Sequence, residues 1–319
     1  MRILLTGSSG WLGRFLAPRL REERHAVIGL DVAPGADTDV IGSVADKALI
    51  ERVFEERGIE AVIHAGALHK PDIARYPEAA FWQVNVEGTR NLLEAAAAAG
   101  HDRFVFTSTT SLMISETIRA GKVGGATRAT WLDEEYGPLV PRNVYGVTKL
   151  EAERLCRRCR DESGLAVAVL RTGRFFPEDD DTHSEPSGPN IKANEFLNRR
   201  LTVEDAAEAH LIALDKAPAL GFETFIVSAP PPFDEADCAA LIEDAPAVIA
   251  RYFPQAGDLY ARMGWSLPDS IDRVYDPSKA ERLLGFRCRT DFAAVLRAIE
   301  RGERLPFAHD PSYVSPKER

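Results

Sequence analysis

Tyr145 and Lys149 are the residues of this chain best suited to proton chemistry. The segment that starts at Tyr145 has the pattern of a helix, so side chains four residues apart lie on the same face. A neighbouring ammonium favours the phenolate, and we expect Lys149 to lower the pKa of Tyr145 from about 10 toward neutrality. Alone, such a pair is weak evidence, because this spacing occurs on many amphipathic helices.

Four consecutive hydroxyl side chains follow a predicted strand over residues 103–107. In open α/β sheets, ligands bind at the carboxyl edge of the strands, so this cluster could hold a substrate oxygen beside Tyr145. Its members are Ser108, Thr109, Thr110 and Ser111.

Residues 6–13, Thr-Gly-Ser-Ser-Gly-Trp-Leu-Gly, lie between the first predicted strand and the first predicted helix. Gly7 permits a tight turn, Gly10 allows the backbone to approach a pyrophosphate, and Gly13 lets the helix pack near the strand. Free amides at the helix N-terminus favour phosphate. The predicted dinucleotide contacts of this loop are Gly7, Ser9, Gly10, Trp11, Leu12 and Gly13.

Asp31 ends the second predicted strand, where an acidic side chain would accept hydrogen bonds from the adenosine ribose. Its carboxylate would repel the extra phosphate of NADP, and the residues that follow it offer no basic group. The predicted cofactor is therefore NAD. The alternative is that Asp31 only starts a turn before Pro34.

Apolar runs alternate with helical segments through the first half of the chain, which predicts an α/β fold with a doubly wound parallel sheet of the Rossmann type. The predicted strands are residues 2–6, 26–31, 61–64, 103–107 and 166–171, with a short one ending near 40–44 and a late one at 223–228. The predicted helices are residues 11–23, 45–57, 78–99 and 145–161, and residues 112–142 and 177–194 are predicted loops.

The length of 319 residues exceeds the common size of one domain. We expect residues 1–175, with 201–228 returning to them, to form the NAD-binding domain. Residues 176–200 and 229–319 would form a small interleaved C-terminal cap that binds substrate.

Several ordered motifs resemble the extended short-chain dehydrogenase/reductases of the NAD-dependent epimerase/dehydratase superfamily. They are TGSSGWLG (6–13), GLD (29–31), HAGA (64–67), NVEGT (85–89), FTSTT (106–110), YGVTK (145–149), LTVEDAAEAH (201–210) and YDPSKAERLLGF (275–286). The resemblance implies that Tyr145 is the acid/base, that Lys149 tunes it and binds the nicotinamide ribose, and that Thr109 binds the substrate oxygen. It also implies cofactor contacts from Ser43, Val44, Ala65, Gly66 and Ala67.

Two positions depart from the usual family pattern. Ser43 stands where an acidic residue is common, and residues 171–178 read Arg-Thr-Gly-Arg-Phe-Phe-Pro-Glu where nucleotide-sugar enzymes carry an Asn. This run resembles the uronate dehydrogenases of the same superfamily.

About two dozen residues separate Pro177 from Leu201, a region that is longer in nucleotide-sugar enzymes, so we expect a smaller substrate. The predicted function is hydride transfer between NAD and a small hydroxyl or carbonyl compound, with sugars and sugar acids as candidates. Thr110, Ser111 and Arg174 are candidate substrate contacts, although residues 178–181 are acidic and would repel a carboxylate unless Arg174 or Lys192 faces it. The alternatives are an epimerase or dehydratase with tightly bound NAD, and a redox-inactive NAD-binding regulator.

A net charge of −10 and a pI near 5.3 argue against nucleic-acid and anionic-membrane partners. The chain shows no signal-peptide pattern and few cysteines, which predicts a cytoplasmic protein. The family resemblance implies a homodimer, paired through the helices predicted over residues 78–99 and 145–161. Cys156 and Cys159 form a CxxC without partner ligands, and His64 and His69 lack an established metal spacing, so no metal site is expected.

Overall fold

The computed structural model describes residues 1–177, 188–309 and 312–314, and nine strands lie in this part of the chain. They are β1 Arg2–Thr6, β2 Ala26–Asp31, β3 Val40–Ile41, β4 Ala61–His64, β5 Phe104–Thr109, β6 Thr130–Leu132, β7 Val167–Thr172, β8 Phe222–Val227 and β9 Arg273–Tyr275. Seven of them form a parallel sheet in the order β3-β2-β1-β4-β5-β7-β8. The order turns back on itself at β1 and β4, as in a doubly wound Rossmann sheet, and the predicted fold class is confirmed.

The described residues include twelve α-helices. They are α1 Gly13–Glu22, α2 Lys47–Arg57, α3 Glu78–Phe81, α4 Gly88–Ala98, α5 Glu116–Ala120, α6 Val144–Ser163, α7 Gly188–Glu195, α8 Val203–Leu220, α9 Cys238–Glu243, α10 Ala245–Tyr252, α11 Ala256–Arg262 and α12 Phe292–Arg301. None of these helices is long and apolar enough to span a bilayer.

Both faces of the large sheet are covered, which explains why its strands are apolar along nearly their whole length. On one face α1 and α8 pack on the sheet through residues such as Leu16 and Leu211. On the other face α2, α4 and α6 contribute Ile50, Leu92 and Leu155 to a second core. The carboxyl ends of β1, β4 and β5 therefore open between two layers of helices.

Helix α6 carries the predicted Tyr-Lys pair, and its ends are set by local sequence. The Asn143 side chain accepts a hydrogen bond of 3.0 Å from the Gly146 amide, which caps the first turn. Gly164 ends the helix in the left-handed conformation. The helix thus begins next to the carboxyl edge of β5, with Tyr145 in its first turn.

The predicted loop over residues 112–142 is wrong in part. Helix α5 lies within it, capped by Ser115, whose hydroxyl accepts a hydrogen bond of 3.2 Å from the Ile118 amide. Strand β6 also lies within it and pairs in parallel with β9 as a separate two-stranded sheet. The partner strand is remote in sequence, so no local pattern reveals this pairing.

A π-helical turn over Trp82–Glu87 divides the single helix that was predicted over residues 78–99. The side chain of Asn85 accepts a hydrogen bond from the Leu68 amide and donates to the Leu68 carbonyl and to Thr148. This buried amide ties the turn to the segment after β4 and to α6. Such turns are frequent near functional sites.

The predicted loop over residues 177–194 is wrong at its end, because α7 occupies Gly188–Glu195. The acidic residues 178–181 lie outside the described residues. A third core, built largely from α7, α9, α10, α11 and α12 with β9, includes Phe196, Leu241 and Phe292. The division of the chain into a domain of residues 1–175 with 201–228, and a cap of 176–200 with 229–319, stays a prediction.

Candidate active site

A cavity of about 1190 Å³ opens at the carboxyl ends of β1, β4 and β5. It exceeds the 300–1,000 Å³ or so of ordinary small-ligand pockets, so it has room for a dinucleotide together with a substrate. Two of the predicted contacts, Ser9 and Gly13, do not line it. The predicted residues that do are Gly7, Gly10, Trp11, Leu12, Asp31, Ser43, Val44, Ala65, Gly66, Ala67, Thr109, Thr110, Ser111, Tyr145, Lys149 and Arg174.

The glycine loop is shaped by close backbone contacts that exclude side chains. Gly7 has a φ of +74°, and a Cβ there would lie 2.8 Å from the amide nitrogen of Gly66. A Cβ on Gly13 would overlap the carbonyl oxygen of Gly7. Gly13 therefore contacts the loop backbone and does not line the cavity. The shape of the loop fits a pyrophosphate bound at the N-terminus of α1.

Asp31 lies at the end of β2 with its carboxylate fixed beside the loop. One oxygen accepts a hydrogen bond of 3.1 Å from the Ser9 amide, and the other accepts one of 3.1 Å from the Ala33 amide. Ser9 thus positions Asp31. The hydrogen bond with Ala33 is the turn that was the alternative role for Asp31, and the same carboxylate also lines the cavity. This arrangement suits a ribose diol and disfavours a phosphate at the same place.

Beneath the loop, His64 ties β4 to its neighbours. Its two ring nitrogens lie 2.7 Å from the Thr6 hydroxyl and 3.0 Å from the Thr89 hydroxyl. Burial, together with repulsion from Lys149, lowers the pKa of His64 well below 6.5, so the ring is neutral. Because both nitrogens are engaged, this histidine supports the loop.

Tyr145 is buried and hydrogen-bonds with the Thr109 side chain. Burial raises the pKa of Tyr145 to about 12, and the hydrogen bond with Thr109 opposes this only in part. The expectation that Lys149 lowers this pKa is therefore wrong for the structure. Desolvation dominates here, since a phenolate in an apolar surround lacks the hydration that it has in water.

Lys149 is buried and donates a hydrogen bond of 2.6 Å to the carbonyl of Thr107. Its ammonium nitrogen also lies 4.0 Å from the centre of the Phe106 ring. Burial lowers the pKa of Lys149 to about 7, with attraction to Cys156 and Glu153 opposing the change. The lysine is anchored to the end of β5, where it lines the cavity beside Tyr145.

The depressed pKa of Lys149 predicts a pH-dependent stability. Between about pH 7 and 10.5 the unfolded chain holds the Lys149 proton and the native state does not, so the free energy of unfolding rises with pH. The contribution is at most about 1.4 kcal/mol per pH unit. Urea unfolding at pH 7, 8 and 9 should show that the free energy of unfolding of wild type, minus that of Lys149→Met, increases with pH.

Lys47→Met is the matched control, because Lys47 is exposed and hydrogen bonding with Glu94 raises its pKa. It should keep the wild-type slope. Parallel curves for wild type and Lys149→Met would show that Lys149 keeps its proton in the native state.

Behind Lys149, a buried ion pair fixes the end of β5. Arg171 Nη2 lies 2.7 Å from Glu153 Oε2, and the Ser108 hydroxyl donates a hydrogen bond of 2.6 Å to Glu153 Oε1. The hydroxyl of Ser108 is therefore engaged by Glu153. All four residues of the predicted hydroxyl cluster line the cavity. Among the described contacts, only Thr109 hydrogen-bonds with Tyr145.

The cavity lining is also rich in arginine. Arg174 is part of it and lies 3.7 Å from the buried carboxylate of Glu195. Four arginines outside the predicted site also line the cavity: Arg119, Arg142, Arg199 and Arg273. Arg119 and Arg142 both lie in residues 112–142, whereas the other two come from separate segments that no local motif joins.

The CxxC pair lies on α6 away from the cavity. Cys156 is buried and Cys159 is half-buried, and both are free thiols. Burial raises the pKa of both groups, which disfavours the thiolates that bind metals. Both cysteines lie within helix α6.

Relatives with curated functions match parts of the chain. An L-arabinose 1-dehydrogenase of Haloferax volcanii is 32% identical over 56% of this chain and 69% of its own length. A UDP-glucose 4-epimerase of Halalkalibacterium halodurans is 28% identical over 69% of the chain and 60% of its own length. A uronate dehydrogenase of Pseudomonas putida is 29% identical over 56% and 62%. The matches to the epimerase and the uronate dehydrogenase thus cover less than two thirds of those proteins.

Among solved structures, an NAD-bound short-chain dehydrogenase/reductase superfamily protein from Agrobacterium tumefaciens superimposes with a TM-score of 0.65 and 26% identity. The match covers 95% of this chain and 98% of that one. A UDP-N-acetylglucosamine 4-epimerase from Bacillus cereus shares the fold, with a TM-score of 0.64 and 20% identity over 94% of this chain.

The family model of the NAD dependent epimerase/dehydratase family matches residues 3–226, a span that contains the glycine loop, Asp31, Thr109, Tyr145 and Lys149. The predicted resemblance is confirmed, and NAD is the cofactor of the family. The chain belongs to the NAD-dependent epimerase/dehydratase family.

Proposed function

We propose that this protein is an oxidoreductase that transfers a hydride between NAD and a small hydroxyl or carbonyl substrate. The observation that carries the proposal is the buried contact between Tyr145 and Thr109, with Lys149 beside it, in the same cavity as the glycine loop. A protein that only binds NAD has no need of these three groups in one place, so a redox-inactive regulator is disfavoured.

Each side chain has one role in the proposal. Thr109 hydrogen-bonds the substrate oxygen, Tyr145 exchanges the proton of that oxygen, and Lys149 binds the nicotinamide ribose beside them. Gly7, Gly10, Trp11, Leu12 and Asp31 hold the dinucleotide. Bound NAD supplies the acceptor or donor of the hydride.

The raised pKa of Tyr145 bears on direction. Near pH 7 its phenol keeps the proton, so Tyr145 is ready to donate to a carbonyl oxygen during reduction. Oxidation of an alcohol requires Tyr145 to lose its proton first, and this becomes easier as the pH rises. We therefore expect alcohol oxidation to be faster at alkaline than at neutral pH.

Sugars and sugar acids are the proposed substrates. The similarity to an arabinose dehydrogenase and a uronate dehydrogenase supports this choice. The similarity to a UDP-glucose 4-epimerase supports an alternative, in which tightly bound NAD returns its hydride within each turnover.

One assay separates these functions. Purified protein is mixed with NAD, or with NADP in parallel, and with a panel of aldoses, uronates and simple alcohols at pH 7 and pH 9. We expect NADH absorbance with at least one panel member, weaker or no signal with NADP because of Asp31, and a higher rate at pH 9. Product without net NADH would replace the dehydrogenase with the epimerase or dehydratase.

Assembly and location stay predictions. A homodimer paired through the helices that include α4 and α6, and a cytoplasmic location, accord with the proposed small-molecule substrate. Sedimentation would measure the oligomeric state.

A further inference from the structure

The cavity lining carries a concentration of positive charge, in a chain whose net charge is −10. Arg119 comes from α5, Arg142 from the turn before α6, Arg199 from the segment after α7, and Arg273 from β9. We call these four residues the arginine cluster. Four remote segments thus converge on one place.

The members of the arginine cluster lie within electrostatic reach of one another. Burial lowers the pKa of Arg119, and repulsion from Arg273, Arg199 and Arg142 lowers it further, while Asp272 opposes the change. Guanidinium groups held together in this way favour a nearby anion, because it relieves their mutual repulsion.

Three carboxylates among the described residues contact members of the arginine cluster. Asp272 lies 2.6 Å from Arg273, and Glu116, which is itself exposed, lies 4.0 Å from Arg142. Glu195 contacts Arg199 at 3.1 Å, but it also pairs with Arg200 at 2.7 Å and with Arg174. One buried carboxylate therefore serves three arginines.

The arginine cluster lines the same cavity as Tyr145 and Thr109. A substrate whose hydroxyl lies at Tyr145 can therefore extend toward it. Arginine is suited to planar, two-pronged hydrogen bonding with carboxylate or phosphate oxygens, and such bonds are stronger when desolvated.

We propose that the substrate carries an anionic group, a carboxylate or a phosphate, which binds at the arginine cluster while the reacting hydroxyl lies at Tyr145. The inference rests on the proposed function for the position of the hydroxyl. It assigns substrate specificity to Arg119, Arg142 and Arg273, residues that no catalytic motif contains.

The test uses three probes that share one sugar: glucose, glucuronate and glucose 6-phosphate. Their affinities are measured by calorimetry in the presence of NAD, for wild type, Arg119→Gln and Arg142→Gln. Both arginines are only partly buried, so their replacement spares the core. Arg262→Gln, an exposed change on α11, is the matched control.

We expect at least one charged probe to bind wild type and Arg262→Gln about tenfold more tightly than glucose, since one charged hydrogen-bonded pair contributes about that much. Arg119→Gln and Arg142→Gln should each lose most of this preference and leave the glucose affinity unchanged. A stronger response to glucose 6-phosphate would identify a phosphate, and a stronger response to glucuronate a carboxylate.

Equal affinity for all three probes, no binding of any of them, or a preference that persists in both cluster variants would overturn the proposal. A preference for the charged probes that appears only after residues 178–181 are changed to Asn and Gln would also overturn it. The anion that the arginine cluster binds would then be the chain's own acidic side chains. Binding is measured without turnover, so an anion preference without NADH formation would count against the dehydrogenase and not against this inference.

Discussion

Tyr145→Phe is expected to lower kcat about a thousandfold and to leave the affinity for NAD within about twofold of wild type. Only the hydroxyl is removed, so the ring still packs in the cluster of Leu68 and Phe81. The proton of the substrate oxygen then has no acceptor or donor, and general acid–base catalysis contributes effects of this size. Initial rates at saturating substrate and a calorimetric titration with NAD measure the two quantities.

Tyr260→Phe provides the matched control. Tyr260 is also a buried tyrosine, but it packs among Trp265 and Phe292 in the core that includes α11 and α12. Its replacement should leave kcat unchanged. If Tyr145→Phe kept full activity, the role of Tyr145 in proton exchange would have to be abandoned.

Gly13→Ala is expected to weaken NAD binding by ten- to a hundredfold or so. The new Cβ would overlap the carbonyl oxygen of Gly7 and lie 2.7 Å from the Cα of Ser8, and both neighbours are backbone that cannot rotate away. Relieving the overlap moves α1 away from β1, at a cost of about 1–3 kcal/mol. Calorimetry with NAD and thermal unfolding report how this cost is divided between cofactor affinity and stability.

Gly257→Ala separates this steric effect from the general effect of replacing glycine. Gly257 lies in α11, and apart from its chain neighbours and the nearby backbone of its own helix, no atom comes within 4 Å of the position of an added Cβ. It should bind NAD as wild type does and be slightly more stable, since alanine favours helix. Unchanged NAD affinity and stability in Gly13→Ala would refute the close approach of α1 to the loop.

The sequence predicts the strand-loop-helix frame of the proposed cofactor half because its signals are local. Gly7, Gly13 and Asp31 lie within a single strand-helix-strand unit, where the tight turn and the end of β2 require particular residue types. Most strands of the large sheet are likewise found within a residue or so, since burial on both faces demands apolar runs. The predicted end of β5 is wrong by two residues, because Ser108 and Thr109 continue the strand.

The proposed substrate half could not be predicted from the sequence, because its residues come together only through tertiary contacts. No residue near Thr130 indicates that β6 pairs with β9. Arg142 and Arg273 line the same cavity only in the folded chain. The prediction for the pKa of Tyr145 is wrong for a related reason. The Lys149 spacing is visible in the sequence, but the burial that outweighs it is not.

The pairing of β6 with β9 joins segments that are made at different times on a growing chain. The glycine loop and Asp31 depend on strand pairings that are shorter in sequence. Strand β6 pairs with a strand made far later, and such long-range pairings form slowly. We therefore expect the strand-loop-helix frame around Asp31 to form before β6 finds β9.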